Sequence, residues 1–321
     1  MRKIIEQYIQ EEKIPGARLY VIGENGKIFD ETIGHRALYP RKLPMTQDTI
    51  FDLASLTKVI VTTPLILQLV DDREITFKDK VSYFIPEFSE GDKSRISVEH
   101  LLTHTSGLPA HRAYFKYLNS KKEVVQAVIK EPLVYSPGEK MVYSDIGFIL
   151  LGHLIEQITG TSLQQLAKKK LFIPLGMAET SFSPEVSKDC VAATEAGKSG
   201  IVHDENAEAM GGAAGHAGLF SSMEDVVAWT TMWNNDGVFN RQEIISSTLI
   251  QKIVKEKREG RGMGWEVDNL GYGHTGFTGT SIRFEKNWTA VLLTNRIHAG
   301  RDTPILEMRK KLYEEIRASL M

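Results

Sequence analysis

The sequence predicts an α+β fold: one antiparallel sheet formed from both chain ends and flanked by helices, plus a mostly helical inserted region. Three observations predict it. Near the N-terminus, β-prone runs at 17–23 and 28–33 flank Glu24-Asn25-Gly26-Lys27, and Asn-Gly in that setting is the strongest short hairpin signal. Near the C-terminus, runs at 281–285 and 288–294 flank Lys286-Asn287 in the same way. Between the ends, apolar residues recur mostly at helical spacing.

The elements follow in order. Residues 1–12 read as an amphipathic helix, followed by the first hairpin. An apolar stretch from Ser55 to about Val70 reads as a helix. Phe148, Ile149, Leu151, Leu154, Ile155 and Ile158 mark another helix, which Thr159-Gly160-Thr161-Ser162 stops and restarts. After the second hairpin, a last helix covers about 303–319, with Ile305, Leu306, Met308, Leu312 and Ile316 apolar. The expected division is a sheet region of 1–59 and 216–321 and a mostly helical region of 60–215, intertwined as one unit with the active site between them. The sequence has no internal repeat, low-complexity tract or linker.

A chain of 321 residues allows one large domain or two intertwined ones. Apolar content of 42% and charged content of 25% are ordinary for a soluble globular protein. A net charge of −2 argues against nucleic acid or an anionic membrane as the main partner. The single cysteine, Cys190, excludes an intrachain disulfide and fits a reducing compartment. Residues 1–12 carry charge where a signal peptide needs an apolar core. The apolar runs, such as Ile146 to Leu151, are too short to span a bilayer. The expectation is a cytoplasmic protein with no membrane span, or a secreted one if a leader has been removed.

Ser55-Leu56-Thr57-Lys58 opens the helix at Ser55. Positions i and i+3 share a helix face, so the lysine amine reaches the serine hydroxyl. Burial would lower the lysine pKa and make it a neutral base. The helix N-terminus offers free N–H groups where an oxyanion develops. Alone, the tetrapeptide reads first as a surface helix with a capping serine and a solvated lysine. Two further elements follow: Tyr143-Ser144-Asp145, preceded by Tyr135-Ser136-Pro137-Gly138, and His274-Thr275-Gly276 between strand-like segments.

With His100-Leu101-Leu102-Thr103-His104-Thr105-Ser106-Gly107-Leu108 and Pro174-Leu175-Gly176-Met177, these motifs resemble the serine β-lactamase and penicillin-binding protein superfamily. The resemblance is to its class C-like branch of β-lactamases, D,D-peptidases and esterases, and covers nearly the whole chain. It implies a β-lactamase/transpeptidase-like fold. It makes Ser55 the acylated nucleophile, Lys58 its activating base and Tyr143 the proton shuttle to the leaving group. Asp145 stands where asparagine is usual; a carboxylate there favours charged Lys58 and weakens it as a base, or selects substrates with an amine. His274 stands where many members have lysine and should hold a substrate carboxylate less strongly. The N–H groups of Ser55 and Phe277 would form the oxyanion hole, with Thr275 and Gly276 beside them. No cofactor is implied.

The stretch 202–221, containing Val202-His203-Asp204-Glu205-Asn206-Ala207 and the glycine-rich run around His216, resembles a subset that includes N-acetylmuramoyl-L-alanine amidases. It is expected to line the site opposite His274, or to be a loop whose polar residues hold its own fold. Arg296, near Asn295, His298 and Arg301, suits carboxylate or phosphate recognition, or is ordinary surface charge. His100 and His104 have zinc-ligand spacing, but no glutamate follows His100, so they read as packing or hydrogen-bonding residues rather than metal ligands.

The expected function is a serine hydrolase that forms an acyl-enzyme at Ser55 and cleaves a small amide or ester. The favoured substrate is a muropeptide or D-amino-acid peptide. Alternatives are a carboxylesterase or weak β-lactamase, and a penicillin-binding sensor that acylates without turnover. Partners are then a small molecule or short peptide, β-lactams among the candidates. The sequence does not set the oligomeric state.

Overall fold

The computed structural model describes residues 1–24, 26–184, 190–255 and 260–320. Strands β1 (Gly16–Gly23) and β2 (Gly26–Ala37) form the first hairpin; Asn25 of its turn lies outside the described residues. Short strands follow at Leu43–Pro44 (β3), Phe51–Asp52 (β4), Phe220–Ser221 (β5), Val238–Phe239 (β6), Gln242–Glu243 (β7) and Glu266–Val267 (β8). Gly271–Thr275 (β9), Ser281–Glu285 (β10) and Trp288–Thr294 (β11) complete the set.

The main sheet runs β3-β2-β1-β11-β10-β9-β8. Its centre is the antiparallel pairing of the first hairpin with the last, from Ala17 opposite Thr294 to Gly23 opposite Trp288. Every residue of β11 is buried, which is why it reads as a nearly continuous apolar run. Side chains alternate between the two faces. Leu19, Val21, Ala290 and Leu292 pack with Ile5 and Tyr8 of helix α1 (Arg2–Gln10) and with Met308, Leu312 and Ile316 near the chain end. Ile282, Phe284, Val291 and Leu293 join the larger core of the helical region.

That region contains α2 (Thr63–Asp71), α3 (Val98–Leu102), α4 (Lys121–Lys130), α5 (Asp145–Thr159), α6 (Leu163–Ala167) and α7 (Ile173–Leu175). After it come α8 (Glu205–Ala209), α9 (Met223–Asn234), α10 (Ser247–Lys255) and α11 (Leu306–Ser319). Most of α5 is buried, so it forms the hub of the core rather than a surface helix. Gly160, in the left-handed region at φ 62°, ends it, and the Ser162 hydroxyl caps α6.

Two expectations need correction. The stretch from Ser55 is not one uniform helix: a 3₁₀ turn at Ala54–Leu56 leads into a π-type turn at Lys58–Thr62 and then into α2. Pro64 has no N–H for the Ile60 carbonyl, so the ladder resets there. Residues 54–71 are also long and apolar enough to cross a membrane by composition, unlike the short runs expected; 78% of that window is buried as the core of the domain. In α11, Leu306 faces outward, 63% exposed, while Met308, Leu312 and Ile316 carry the packing.

Candidate active site

Strand β4 delivers the chain to the nucleophile. The Asp52 side chain accepts the Ala54 N–H at 2.8 Å, and Ala54 holds a left-handed φ of 47° before the 3₁₀ turn carries Ser55 into a cleft of about 370 Å³. Tyr143, His274 and Phe277 line the same cleft. A larger cavity of about 430 Å³ lies beside Phe172 and Met177; it contains none of the candidate site residues.

Lys58 is completely buried and lies under Ser55. Its Nζ donates to Ser55 Oγ at 3.0 Å and to the His216 carbonyl at 2.9 Å, and stands 2.8 Å from Asp145 Oδ1. The Asp145 contact is out of hydrogen-bond alignment, so it is chiefly Coulombic. Burial pushes Lys58 down, but the Asp145 charge first, with Tyr143, outweighs it and holds the amine above the ordinary lysine range. The expected neutral base is therefore an ammonium in the resting site. Burial raises Asp145 in turn, and Lys58 with His111 overcomes that and holds it far below the carboxylate range.

Ser144, not Asp145, caps α5: its hydroxyl accepts the Gly147 N–H at 3.0 Å. Asp145 is the first helical residue and is free to meet Lys58. Its Oδ2 lies 3.8 Å from Nδ1 of half-exposed His111. Tyr143 just before it packs on His104, ring centroids 4.6 Å apart. Nδ1 of His104 accepts the Ser144 N–H at 3.0 Å, and His100 completes a capping box with Ser97. These two histidines thus hold backbone, and among the described residues no group of side chains forms a metal cluster.

On the opposite side stands β9. Burial, then the Arg261 and Lys58 charges, push His274 well below the ordinary histidine range. Its Nδ1 lies 3.0 Å from the Thr275 carbonyl, which can only accept, so the proton sits on Nδ1 and Nε2 is a bare acceptor without a partner. A neutral His274 cannot grip a carboxylate by charge. Thr275 is exposed at the cleft. Gly276 runs so close to the nucleophile turn that a Cβ there would lie 2.5 Å from the Leu53 carbonyl oxygen and would strike Thr280. That approach brings Phe277 beside Ser55, and among the described residues neither of their N–H groups donates to a protein acceptor. Two free donors beside the nucleophile meet the requirement of an oxyanion hole.

Arg296 lines the cleft too, but its Nη atoms donate to the carbonyls of Arg301, Thr303 and Phe277 at 3.0, 2.6 and 2.6 Å. It braces Phe277 rather than presenting an open fork. The sequence reading missed Arg261. Its guanidinium carbon stands 5.0 Å over the Tyr143 ring, its Nη1 is buried and has no partner among the described residues, and its ion pair with exposed Glu266 is long at 4.0 Å. The one signal available was an arginine between Gly260 and Gly262, which by itself says nothing.

The 202–221 stretch does not line this cleft; it lies behind the site, bonded to its neighbours. Asp204 takes His216 Nε2 at 2.9 Å and caps α8 through the Ala207 N–H at 2.8 Å. Asn206 bridges to the Phe115 N–H and the Arg112 carbonyl, and Glu205 pairs with Arg301 at 2.8 Å. His203 stacks on Phe277, centroids 5.6 Å apart, and its N–H donates to Asp52 at 2.7 Å. His216 meets Lys58 through its backbone carbonyl, not its ring. Gly215 beside it has no room for a side chain, because a Cβ would strike the Phe148 carbonyl.

Residues 1–314 match the family model described as Beta-lactamase. A Salmonella agona protein named "Putative D-alanyl-D-alanine carboxypeptidase" is 30% identical over 348 aligned positions, covering 90% of this chain and 81% of that one. The penicillin-binding protein homologue from Pyrococcus abyssi, described as octameric, superposes with a TM-score of 0.78 at 24% identity, over 96% of this chain and 76% of the other. EstCE1, described as a hydrolase with promiscuous acyltransferase activity, superposes with a TM-score of 0.76 at 20% identity, over 97% of both chains.

Proposed function

The chain belongs to the beta-lactamase family and is a serine hydrolase of that family, and within it we propose an acyl-enzyme hydrolase of peptides that end in a D-amino acid carboxylate. The observation that carries the substrate class is Arg261. A partly buried guanidinium in the same cleft as Ser55, whose Nη1 is buried and has no partner among the described residues and whose one carboxylate contact among them is long at 4.0 Å, matches a terminal carboxylate in charge and geometry. The D-configuration is taken from the name of the Salmonella agona relative.

In this reading the scissile carbonyl lies between the N–H groups of Ser55 and Phe277, and Ser55 Oγ attacks it. Lys58 is already an ammonium that donates to Oγ, so it steadies the developing alkoxide rather than taking its proton. The Ser55 proton reaches the leaving nitrogen by relay through the hydroxyl of Tyr143, over whose ring Lys58 stands: the phenol gives up its own proton as it receives that of Ser55. Water then releases the acyl group. The neutral His274 favours a second reading, an esterase acting on uncharged substrates, since its bare Nε2 repels a carboxylate.

One experiment separates the two: hydrolysis of an N-acyl-D-Ala-D-Ala peptide, its C-terminal carboxamide and a short p-nitrophenyl ester, with Ser55→Ala as blank. The carboxypeptidase reading expects the carboxylate substrate to exceed the carboxamide by at least about tenfold in kcat/KM, as for a charge-assisted contact worth ~1.4 kcal/mol. Equal rates on both would refute the role given to Arg261. Turnover surviving in Ser55→Ala would refute the acyl-enzyme.

A further inference from the structure

Asp52 is a buried carboxylate that the proposed mechanism does not use, and no cation pairs with it among the described residues. Its two oxygens have separate partners. Oδ1 accepts the Ala54 N–H at 2.8 Å, and Oδ2 accepts the His203 N–H at 2.7 Å. Its own backbone carbonyl accepts the Thr278 hydroxyl at 2.7 Å. Asp52 thus touches the turn before Ser55, the loop that follows Val202 and the turn that follows Phe277.

Each of those segments sets one part of the site. Ala54 lies in the left-handed region at φ 47°, where a residue with a Cβ needs outside support. The Ala54 N–H to Asp52 bond is such a support, a side chain folding its own chain two residues on. Past His203, Asp204 holds His216, whose carbonyl holds Lys58. The His203 ring lies at 16° to that of Phe277, whose N–H is one of the two donors left free among the described residues.

Resting on the acyl-enzyme reading above, we propose that Asp52 is a positioning residue that locks the Ser55 turn to the loop that follows Val202 and to the turn that follows Phe277. A carboxylate suits the place because two acceptors meet two backbone donors. Asparagine would turn an N–H₂ group toward one of them.

The test uses the full chain and a fluorescent penicillin or phosphonate, separating the first-order acylation rate from the preceding dissociation constant. Asp52→Asn is expected to slow acylation by about 30-fold while leaving reversible binding within about threefold, as for a displaced reacting group. Adding Ala54→Gly is expected to recover about fivefold or more, because glycine holds a positive φ unaided. A folding defect alone would not divide the two constants in this way or be relieved at Ala54. An Asp52→Asn chain that acylates within about twofold of wild type, or a folded double variant with no recovery, would overturn the proposal. Amide hydrogen exchange on the wild type gives an arm free of variants: the N–H groups of Ala54 and His203 are expected to be strongly protected, and exchange at open-loop rates would overturn it. If the wild type takes up no label, the acyl-enzyme reading falls and this inference with it. If it labels and Asp52→Asn is indifferent, the inference alone falls.

Discussion

Two cations face the Tyr143 ring, Lys58 Nζ and the guanidinium carbon of Arg261, each 5.0 Å from its centroid, and their surroundings differ. Lys58 is enclosed on every side: Ser55, Asp145 and the His216 carbonyl all lie within 3.0 Å of its amine. The Nη1 of Arg261 is buried, and among the described residues it has no partner and its guanidinium has no carboxylate nearer than 4.0 Å. A buried cation with a full set of partners is a fixed component of the site. A buried cation without them is costly unless something else supplies the anion. On this difference we propose that Lys58 serves the chemistry and Arg261 the substrate, and four predictions bear on it.

The largest effect belongs to the enclosed cation. Lys58→Met should lower kcat by about a thousandfold or more and, by stranding the buried Asp145 carboxylate, destabilise the fold by roughly 3 kcal/mol. Steady-state kinetics with urea unfolding would show both; loss of activity without loss of stability would break the pairing of Lys58 with Asp145. Next, Arg261→Gln should reduce kcat/KM about 30- to 100-fold on a substrate with a terminal carboxylate, mainly through KM, and change carboxamide or ester hydrolysis by less than about threefold. Equal losses on charged and neutral substrates would instead place Arg261 in the chemistry beside Lys58.

Asp145→Asn should act through Lys58. Without the carboxylate the ammonium loses its main support, so its pKa falls and the pH optimum of kcat/KM moves toward acid, with a change of about tenfold or less at pH 7. An unmoved pH profile would count against control of Lys58 by Asp145. The smallest effect concerns stability. His104 and His274 are held neutral, so below about pH 6.5 the unfolded chain binds protons that the folded chain refuses. Stability is therefore complete above pH 6.5 and falls on acidification, by up to ~1.4 kcal/mol per pH unit for each histidine. Asp52 opposes this in part: burial pushes it up to about 6, so it adds stability as pH falls through that value. Urea unfolding at pH 7.5 and 5.5 should show a net loss of roughly 1–2 kcal/mol; greater stability at pH 5.5 would contradict the buried neutral histidines.

Much of the fold was legible because its signals are local. The runs at 281–285 and 288–294 coincide with β10 and β11, and the Thr159–Ser162 break coincides with the Gly160 cap. The helix from Ser55 was misjudged because apolar spacing does not report hydrogen-bond registration, which Pro64 resets. The motif residues were legible by type and order, and the fold gathers Ser55, Lys58, Tyr143, Asp145 and His274 around one cleft. Their charge states were harder to foresee. Lys58 is raised rather than lowered because its carboxylate neighbour outweighs burial. His216 contributes a carbonyl, and every residue has one, so no side-chain pattern could announce it. Arg261 and Arg296 are both arginines near the cleft, and only their bonding tells them apart: one is engaged by three carbonyls, while the other keeps a bare Nη1.

The pairing of β1 with β11 has a consequence in time. During synthesis the Ser55 turn and the helical region leave the ribosome long before β9 to β11, so for most of translation β1 lacks its central partner and Ser55 lacks the Phe277 donor. On the proposed mechanism the nascent chain thus carries a nucleophile but no finished oxyanion pocket, and hydrolytic competence arrives only as the last hairpin inserts between β1 and β9.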